Sequence, residues 1–305
     1  MTLRIVGFDE GEAAMTWDGL CAALTAGHEK PKAEIGDTFL YRDNDTLLSR
    51  AAWITGLGLA VKSATVYPGN LAQGLPMIDG AVTVFNDAGA LEALVDFFLV
   101  TKWKTACDSL LAARHLARPD SETILIVGAG TVASSLYEAY GSTFPNARFL
   151  VWNRTSERAE KFAAARAGVE AVADLETAVG RADIVTSATM SSQPLIHGAW
   201  LKAGQHIDLI GAYRPDMREA DDAALKRARL FVDSRETTLD DIGEVKIPLS
   251  KGIVQRNDIV ADFYDLPRGD FLRQSEDEIT LFKNGGGAHL DLMTCRYVLD
   301  ALEEA

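Results

Sequence analysis

An α/β architecture, a doubly wound parallel sheet beside a smaller α+β region, is what this sequence predicts. From residue 122 onward short apolar runs alternate with helical stretches, the pattern of parallel strands joined by crossover helices. The first run, Ile124 to Val127, stops at Gly128-Ala129-Gly130-Thr131-Val132-Ala133, and a helical stretch follows at once. Strand, tight turn and helix thus stand in the order a dinucleotide-binding turn requires. Before residue 98 mixed strands and short helices, with turn residues between them, replace that alternation.

Taken in order, the N-terminal region offers strands at 38–42, 46–49, 59–67, 81–86 and 91–96. Asp87-Ala88-Gly89 suits a hairpin turn between the last two, and 67–76 is loop chemistry throughout. Residues 101–117 read as a long helix with Trp103, Cys107, Leu110, Leu111 and Leu116 on one face. The run from Ala117 to Ser121, with Pro119 inside it, breaks that helix and marks a domain junction. Strands at 123–127, 148–152, 183–187, 206–210 and 230–233 then alternate with helices at 131–140, 156–166, 174–179 and 219–228. A strand at 279–282, a glycine loop and a helix at 289–302 close the chain, and that helix is expected to return to the first domain. The expected domains are 1–117 with 288–305, and 118–287.

The chain has 305 residues, 48% of them hydrophobic, enough for two domains with full cores. Its net charge of −14 disfavours nucleic acid or an anionic membrane as partner, while lysines gathered in a cleft can still attract a small anion. Cys21, Cys107 and Cys295 are odd in number and far apart, which points to a reducing compartment. There is no signal-peptide pattern and no apolar stretch of membrane-spanning length, so a cytoplasmic protein is expected. His28, His115, His197, His206 and His289 are not spaced as metal ligands, and no metal is expected.

In the glycine turn, Gly128 permits the tight bend, Gly130 lets the backbone approach a pyrophosphate, and Ala133 allows close packing of helix on strand. Thr131 and Val132 open the helix, whose free N–H groups and partial positive charge suit phosphates. The next strand ends in Asn153-Arg154-Thr155, with Arg158 beyond, and lacks the acid that bonds a ribose 2′-hydroxyl. Asn153 can donate hydrogen bonds, and the planar donor forks of Arg154 and Arg158 suit a 2′-phosphate. NADP(H) is therefore expected ahead of NAD(H). Ser187 and Thr189 follow a sheet strand, where ligand crevices form, and are expected to touch the cofactor or to cap a turn.

Several segments, in this order, make the chain resemble the ornithine cyclodeaminase/mu-crystallin family over nearly its whole length. They are Gly58 to Lys62 running into Tyr67-Pro68-Gly69-Asn70, Val100 to Ala106, Asp183 to Thr189, Ile210 to Glu219, Val232-Asp233-Ser234, and Glu278 to Lys283 with its glycine loop. The resemblance implies an N-terminal substrate and dimerisation domain completed by the last helix, a nucleotide domain, and a homodimer. Function is not settled by it, because the family includes cyclodeaminases, imine reductases, amino-acid dehydrogenases and a binding crystallin.

The departures are informative. Tyr213 stands where cyclodeaminases carry a catalytic aspartate in a G-G-D-x-P-like run, and a phenol of pKa near 10 is a poor substitute for a carboxylate. The family's R-T-A-A reads Lys104-Thr105-Ala106-Cys107, and a methionine-proline-alanine stretch reads Arg50-Ala51-Ala52. These changes resemble the branch of Δ1-pyrroline-2-carboxylate and Δ1-piperideine-2-carboxylate reductases. They imply an NADPH-dependent reductase of a small cyclic imino acid. The alternatives are an NAD-recycling ornithine cyclodeaminase, an amino-acid dehydrogenase or acyclic imine reductase, and a non-catalytic NADPH-dependent binder.

A 2-carboxylated imine needs a cationic anchor and a proton on its nitrogen. Lys62 is either that anchor or a snorkelling strand-end lysine, and Lys104 either an anchor or a solvated helix lysine; the family positions favour the anchor for both. Arg50 is a third candidate anchor. Asp108, four residues after Lys104, can hold the iminium, relay a proton, or simply pair with Lys104. Tyr213 can donate near the nicotinamide or form an apolar wall. Gly286, within Gly285-Gly286-Gly287, can border the substrate or be a connector, and His289 is a proton donor or a structural histidine.

Overall fold

The computed structural model describes residues 3–304. In chain order the elements are β1 (Arg4–Val6), α1 (Phe8–Ala14), α2 (Trp17–His28), β2 (Glu34–Arg42), β3 (Asp45–Ile54), β4 (Gly58–Val66), β5 (Ile78–Phe85), β6 (Leu91–Asp96) and α3 (Phe97–Leu116). There follow β7 (Thr123–Val127), α4 (Thr131–Thr143), β8 (Arg148–Trp152), α5 (Ser156–Ala164), β9 (Val169–Ala171), α6 (Leu175–Arg181), β10 (Ile184–Ser187) and β11 (His206–Leu209). The last are α7 (Asp222–Arg227), β12 (Arg229–Val232), α8 (Arg235–Thr238), α9 (Gly243–Ser250), β13 (Ile259–Ala261), β14 (Thr280–Lys283) and α10 (Ala288–Glu304). They form two compact units: residues up to Lys104 with those from Gly287 onward, and Thr105–Gly286.

The division falls inside α3, not at the break after Ala117. That helix is buried nearly all round, at Leu99, Val100, Trp103, Ala106, Cys107, Leu110 and Ala113 among others, so it gives core residues to both units where a single apolar face was expected. It also starts before residue 101, because the Asp96 carboxylate accepts from Leu99 N at 2.8 Å and caps the first turn.

In the first unit six strands lie in the order β1-β6-β5-β4-β3-β2, antiparallel except for the parallel pair β1–β6. Alternation places Ala60, Lys62 and Ala64 of β4 on the buried face with Ala52 and Ile54 of β3 and Val82 and Val84 of β5. Helix α10 packs against α2 and against β3, β4 and β5, and its first half, Ala288 to Cys295, is buried at every position. Two helices near the N-terminus, α1 and α2, are among the short helices expected with the strands there; Thr16 caps α2 by accepting from Gly19 N at 3.1 Å.

In the second unit eight parallel strands are ordered β13-β12-β14-β11-β10-β7-β8-β9. The chain runs outward from β7 through β8 to β9, then returns to β10 on the other side of β7. This is a Rossmann-type sheet with its switch point between β7 and β10, where the carboxyl ends of the strands open a ligand crevice. Val127, Val185, Ile207, Leu209, Leu230 and Leu281 form the core against α6 and α7. The short strands β9 and β13, three residues each, escaped sequence periodicity.

The seat of α10 fixes the first unit. Leu290→Ala, at a fully buried position of that helix, is expected to lower unfolding free energy by about 2–5 kcal/mol, read as a lower urea midpoint with unchanged slope.

Candidate active site

At the switch point of the second unit, Gly128 has φ +112°, and a Cβ there would lie 2.8 Å from Ala188 O in the loop after β10. Only glycine fits the turn. Gly130 is the N-cap of α4, offers no side-chain cap and has open space where a Cβ would stand. An exposed turn and an uncapped helix start at Thr131 and Val132 fit a dinucleotide pyrophosphate. After β8, Asn153 Nδ2 donates to Thr155 O at 2.9 Å and shapes the turn, so its amide is partly engaged. Arg154, Thr155 and Arg158 are exposed, and neither guanidinium has a carboxylate partner among the described residues.

The two hydroxyls expected to meet the cofactor are held from behind. Ser187 Oγ and Thr189 Oγ1 donate to Glu219 Oε1 at 2.6 and 2.7 Å, joined by Thr189 N at 2.8 Å. Ser187 is fully buried and its hydroxyl ties the strand end down; Thr189 is half-buried. Glu219 Oε2 accepts from Gly211 N at 2.6 Å and Ala212 N at 3.3 Å. One buried carboxylate thus clamps the loops after β10 and β11. The loops are in close contact, since a Cβ on Gly211 would overlap the Thr189 backbone. Tyr213, next along, is 59% exposed. Lys283 Nζ, buried at the end of β14, donates to Leu209 O at 2.9 Å and Ile210 O at 3.2 Å. Gly286 has φ +64°, and a Cβ on Gly285 would overlap the Thr238 hydroxyl, so this loop needs glycine at both positions.

Behind Glu219, Glu244 accepts from Glu219 N at 2.6 Å and Ala220 N at 3.1 Å. Burial, then the charge of Glu219, push Glu244 up to about 7 despite Lys283. Burial also pushes Asp208 up to about 6, against hydrogen bonds from Thr186, Tyr140 and Ser109. Asp108, fully buried on α3, is close enough for its charge to help raise the Tyr140 phenol, after burial and Asp208.

In the first unit Lys62 and Lys104 are both buried and both face Asp291 of α10, with Nζ to Oδ1 distances of 2.8 and 3.8 Å. Burial pushes the Asp291 carboxyl up, but Lys104 and Lys62 outweigh it and hold it below the usual carboxylate range. Lys62 Nζ also lies 5.7 Å from the centre of the Phe97 ring. Arg50 stands directly opposite Lys62 across the β3–β4 ladder and donates from Nε to Asp37 Oδ2 at 2.9 Å. His289, buried, is pulled down to about 3 by burial and by Lys104, so it is neutral near pH 7 and cannot act as a ready acid there. Both side chains are more than nine-tenths buried, which does not fit a solvated or snorkelling lysine.

Sequence reading missed Glu219, Glu244, Lys283 and Asp291. The available signal was a charge set inside an apolar run, as in Leu290-Asp291-Leu292-Met293 and Leu281-Phe282-Lys283.

Because Glu244 is raised from 4.5 to about 7 in the folded state, the native protein binds its proton more tightly than the unfolded chain. Stability from this group is full below pH 4.5 and falls as pH rises to about 7. Glu244→Gln removes that fall. The unfolding free energy of the variant relative to the parent should rise between these limits in urea titrations at stepped pH; a flat difference would show that Glu244 ionises normally.

A profile of the ornithine cyclodeaminase/mu-crystallin family matches residues 51–305. The Delta(1)-pyrroline-2-carboxylate reductase of Paracoccus denitrificans (strain Pd 1222) is 52% identical over 302 residues, covering 97% of this chain and 96% of that protein. The structure of Thermococcus litoralis Delta(1)-pyrroline-2-carboxylate reductase in complex with NADH and L-proline is similar at TM-score 0.90 and 26% identity, over 99% of this chain and 98% of that one. An archaeal alanine dehydrogenase dimer with bound NAD gives TM-score 0.90 and 26% identity, over 100% and 97%. With a family match over more than half its length and a half-identical relative spanning nearly all of it, the chain belongs to the ornithine cyclodeaminase/mu-crystallin family.

Proposed function

We propose that this chain reduces a small cyclic imino acid, Δ1-pyrroline-2-carboxylate or Δ1-piperideine-2-carboxylate, to L-proline or L-pipecolate with NADPH. It is an NAD(P)H-dependent oxidoreductase acting on C=N groups, as its family and its 52%-identical relative support. The observation that carries the substrate class is the pair of buried ammonium groups, Lys62 and Lys104, sharing the single carboxylate of Asp291. Two buried ammonium donors converging on one place suit an anion, and a 2-carboxylate supplies one. L-proline in the Thermococcus litoralis complex is a carboxylate of this kind.

In this reading Lys62 and Lys104 donate charge-assisted hydrogen bonds to the substrate carboxylate, with Arg50 next to Lys62 on the same sheet face. Fixing the carboxylate fixes the face of the ring carbon that reacts and lowers the entropic part of the barrier. Asp108, buried one turn beyond Lys104 on α3, holds the proton on the imine nitrogen. Bound NADPH supplies the hydride. Its pyrophosphate would be held at Gly128, Gly130, Thr131 and Val132 and its 2′-phosphate at Asn153, Arg154, Thr155 and Arg158, with Thr189 and Tyr213 bordering it. Gly286 gives the loop after β14 its close approach. The exposed, unpartnered guanidinium groups of Arg154 and Arg158 support NADPH over NADH.

A homodimer is part of the proposal. Strand β2 is a sheet edge with Phe39, Leu40 and Tyr41 exposed, and an apolar edge of this kind calls for a pairing partner. The dimer of the archaeal alanine dehydrogenase supports it. No helix among the described residues is long and apolar enough to cross a membrane. Cys21, Cys107 and Cys295 are buried and form no disulfide among the described residues, which supports a reducing, cytoplasmic setting.

Steady-state rates with each imine and each coenzyme, followed as loss of reduced nicotinamide, test the reading. NADPH should show the lower KM, and Arg154→Ser should raise KM for NADPH at least about tenfold while leaving NADH nearly unchanged; a parent enzyme preferring NADH rejects the coenzyme assignment. Lys104→Ala should lower kcat/KM by about 10- to 100-fold, the value of one charge-assisted hydrogen bond of roughly 1.5–3 kcal/mol. Unchanged turnover in that variant would remove the anchor.

A further inference from the structure

The clamp at Glu219 fixes more than the shape of two loops. Glu219 is fully buried and its carboxylate is filled by donors: Ser187 Oγ, Thr189 Oγ1 and Thr189 N at Oε1, Gly211 N and Ala212 N at Oε2. A carboxylate only accepts, so both hydroxyls turn their hydrogens toward it. Thr189 is half-buried at the switch point, where its methyl carbon lies 3.5 Å from the place of a Cβ on Gly128. Its one hydroxyl hydrogen is spent on Glu219 at 2.7 Å, and among the described residues no donor reaches its oxygen. Toward the ligand crevice Thr189 therefore offers lone pairs and no hydrogen.

We propose that Glu219 makes Thr189 a hydrogen-bond acceptor for the carboxamide NH2 group of the nicotinamide, and so sets which way round the carboxamide lies. The inference deepens the proposed function and rests on its reading of the coenzyme site. A phosphate oxygen carries no proton and also only accepts, so this threonine does not serve the pyrophosphate. A ribose hydroxyl can turn to suit either kind of partner and needs no fixed acceptor. The carboxamide nitrogen only donates, and it is the group that a fixed acceptor selects. Held by its nitrogen, the carboxamide cannot turn over, and the face of the nicotinamide ring is held with it, which lowers the entropic part of the barrier to hydride transfer. Thr189 touches the coenzyme in this arrangement; Glu219 acts through it as a positioning residue.

The test compares oxidised NADP or NAD, whichever binds more tightly, with its 3-acetylpyridine analogue, by calorimetric titration into the whole protein. In the analogue a methyl group replaces the carboxamide nitrogen and the carbonyl is kept. The parent should bind the natural coenzyme at least about fivefold more tightly, since the analogue leaves the Thr189 oxygen without a donor. In Glu219→Gln the side-chain NH2 group settles at the Oε1 position, because two of the three partners there are hydroxyls that can turn round to accept, whereas both partners at Oε2 are backbone N–H groups. The Thr189 hydrogen then faces the ligand, and the two coenzymes should bind within about twofold of each other. Thr189→Val should erase the preference in the same way, and Thr189→Ser should retain it. A purely structural clamp would weaken both coenzymes alike and leave the ratio at its parent value. The inference is overturned, with the coenzyme reading intact, if the parent binds both forms equally, or if a folded Glu219→Gln or Thr189→Val protein, judged by its thermal melt, keeps the parent ratio. Should Glu219→Gln fail to fold, Thr189→Val carries the test. A parent that binds neither NADP nor NAD sinks the coenzyme reading and the inference with it.

Discussion

Two ammonium groups held around one carboxylate, away from water, are the constraint on which the first unit depends. Lys62 comes from a strand, Lys104 from α3 and Asp291 from α10, so the contact joins three elements far apart in sequence. Removing Asp291 would leave two like charges facing each other in a low-dielectric setting, a costlier defect than the loss of one exposed salt bridge. The same arrangement explains why the sheet carries a lysine in the middle of its buried face, between Ala60 and Ala64: the small neighbours leave room, and the carboxylate of the helix above supplies the charge. A site arranged in this way is preorganised, because its cations are already desolvated and oriented before a ligand arrives.

The second unit solves a related problem with the opposite charge. Glu219 gathers five donors from two strand-end loops, and Glu244 accepts two backbone N–H groups at its base. A parallel sheet leaves the N–H and C=O groups past its carboxyl ends without ladder partners, and here a buried carboxylate takes up the donors while Lys283 takes up the acceptors at Leu209 and Ile210. The loops that border a ligand crevice are thereby fixed by groups lying behind them. The cofactor-facing surface can then stay glycine-rich and open at Gly128 and Gly130 without losing its shape.

Much of this was legible in the sequence, for physical reasons. The alternation of apolar runs and helices foretold the parallel sheet because buried parallel strands must be apolar on both faces. Gly128 was legible because a positive φ at a strand end leaves few other choices. The return of α10 to the first unit was expected where the strand–helix alternation broke off at the glycine loop. What could not be read was long-range pairing. Asp291 sits 229 residues from Lys62, and nothing local distinguishes a buried charge with a partner from an error in periodicity. Ser187 and Thr189 were placed at the right strand end, yet Glu219, which accepts their hydrogen bonds, lies 30 or more residues on. The short strands β9 and β13, three residues each, lacked a period long enough to register.

The departures from the cyclodeaminase pattern gain meaning when set beside these networks. Tyr213 replaces an aspartate at a position that is mostly exposed, so the change does not disturb the core, and it takes away a carboxylate at no structural cost. Lys104 replaces an arginine at a position that is almost wholly buried, where a guanidinium would bring five donors to satisfy and an ammonium brings three. With Asp291 as the shared acceptor, two ammonium groups can be matched by one protein carboxylate and one ligand carboxylate, whereas a planar fork would bind the protein carboxylate in two places and leave less of its charge for the ligand. In the proposed reading the lysine is thus the residue that keeps the anchor available, and its neighbourhood, not its own chemistry alone, suits it to hold an anion.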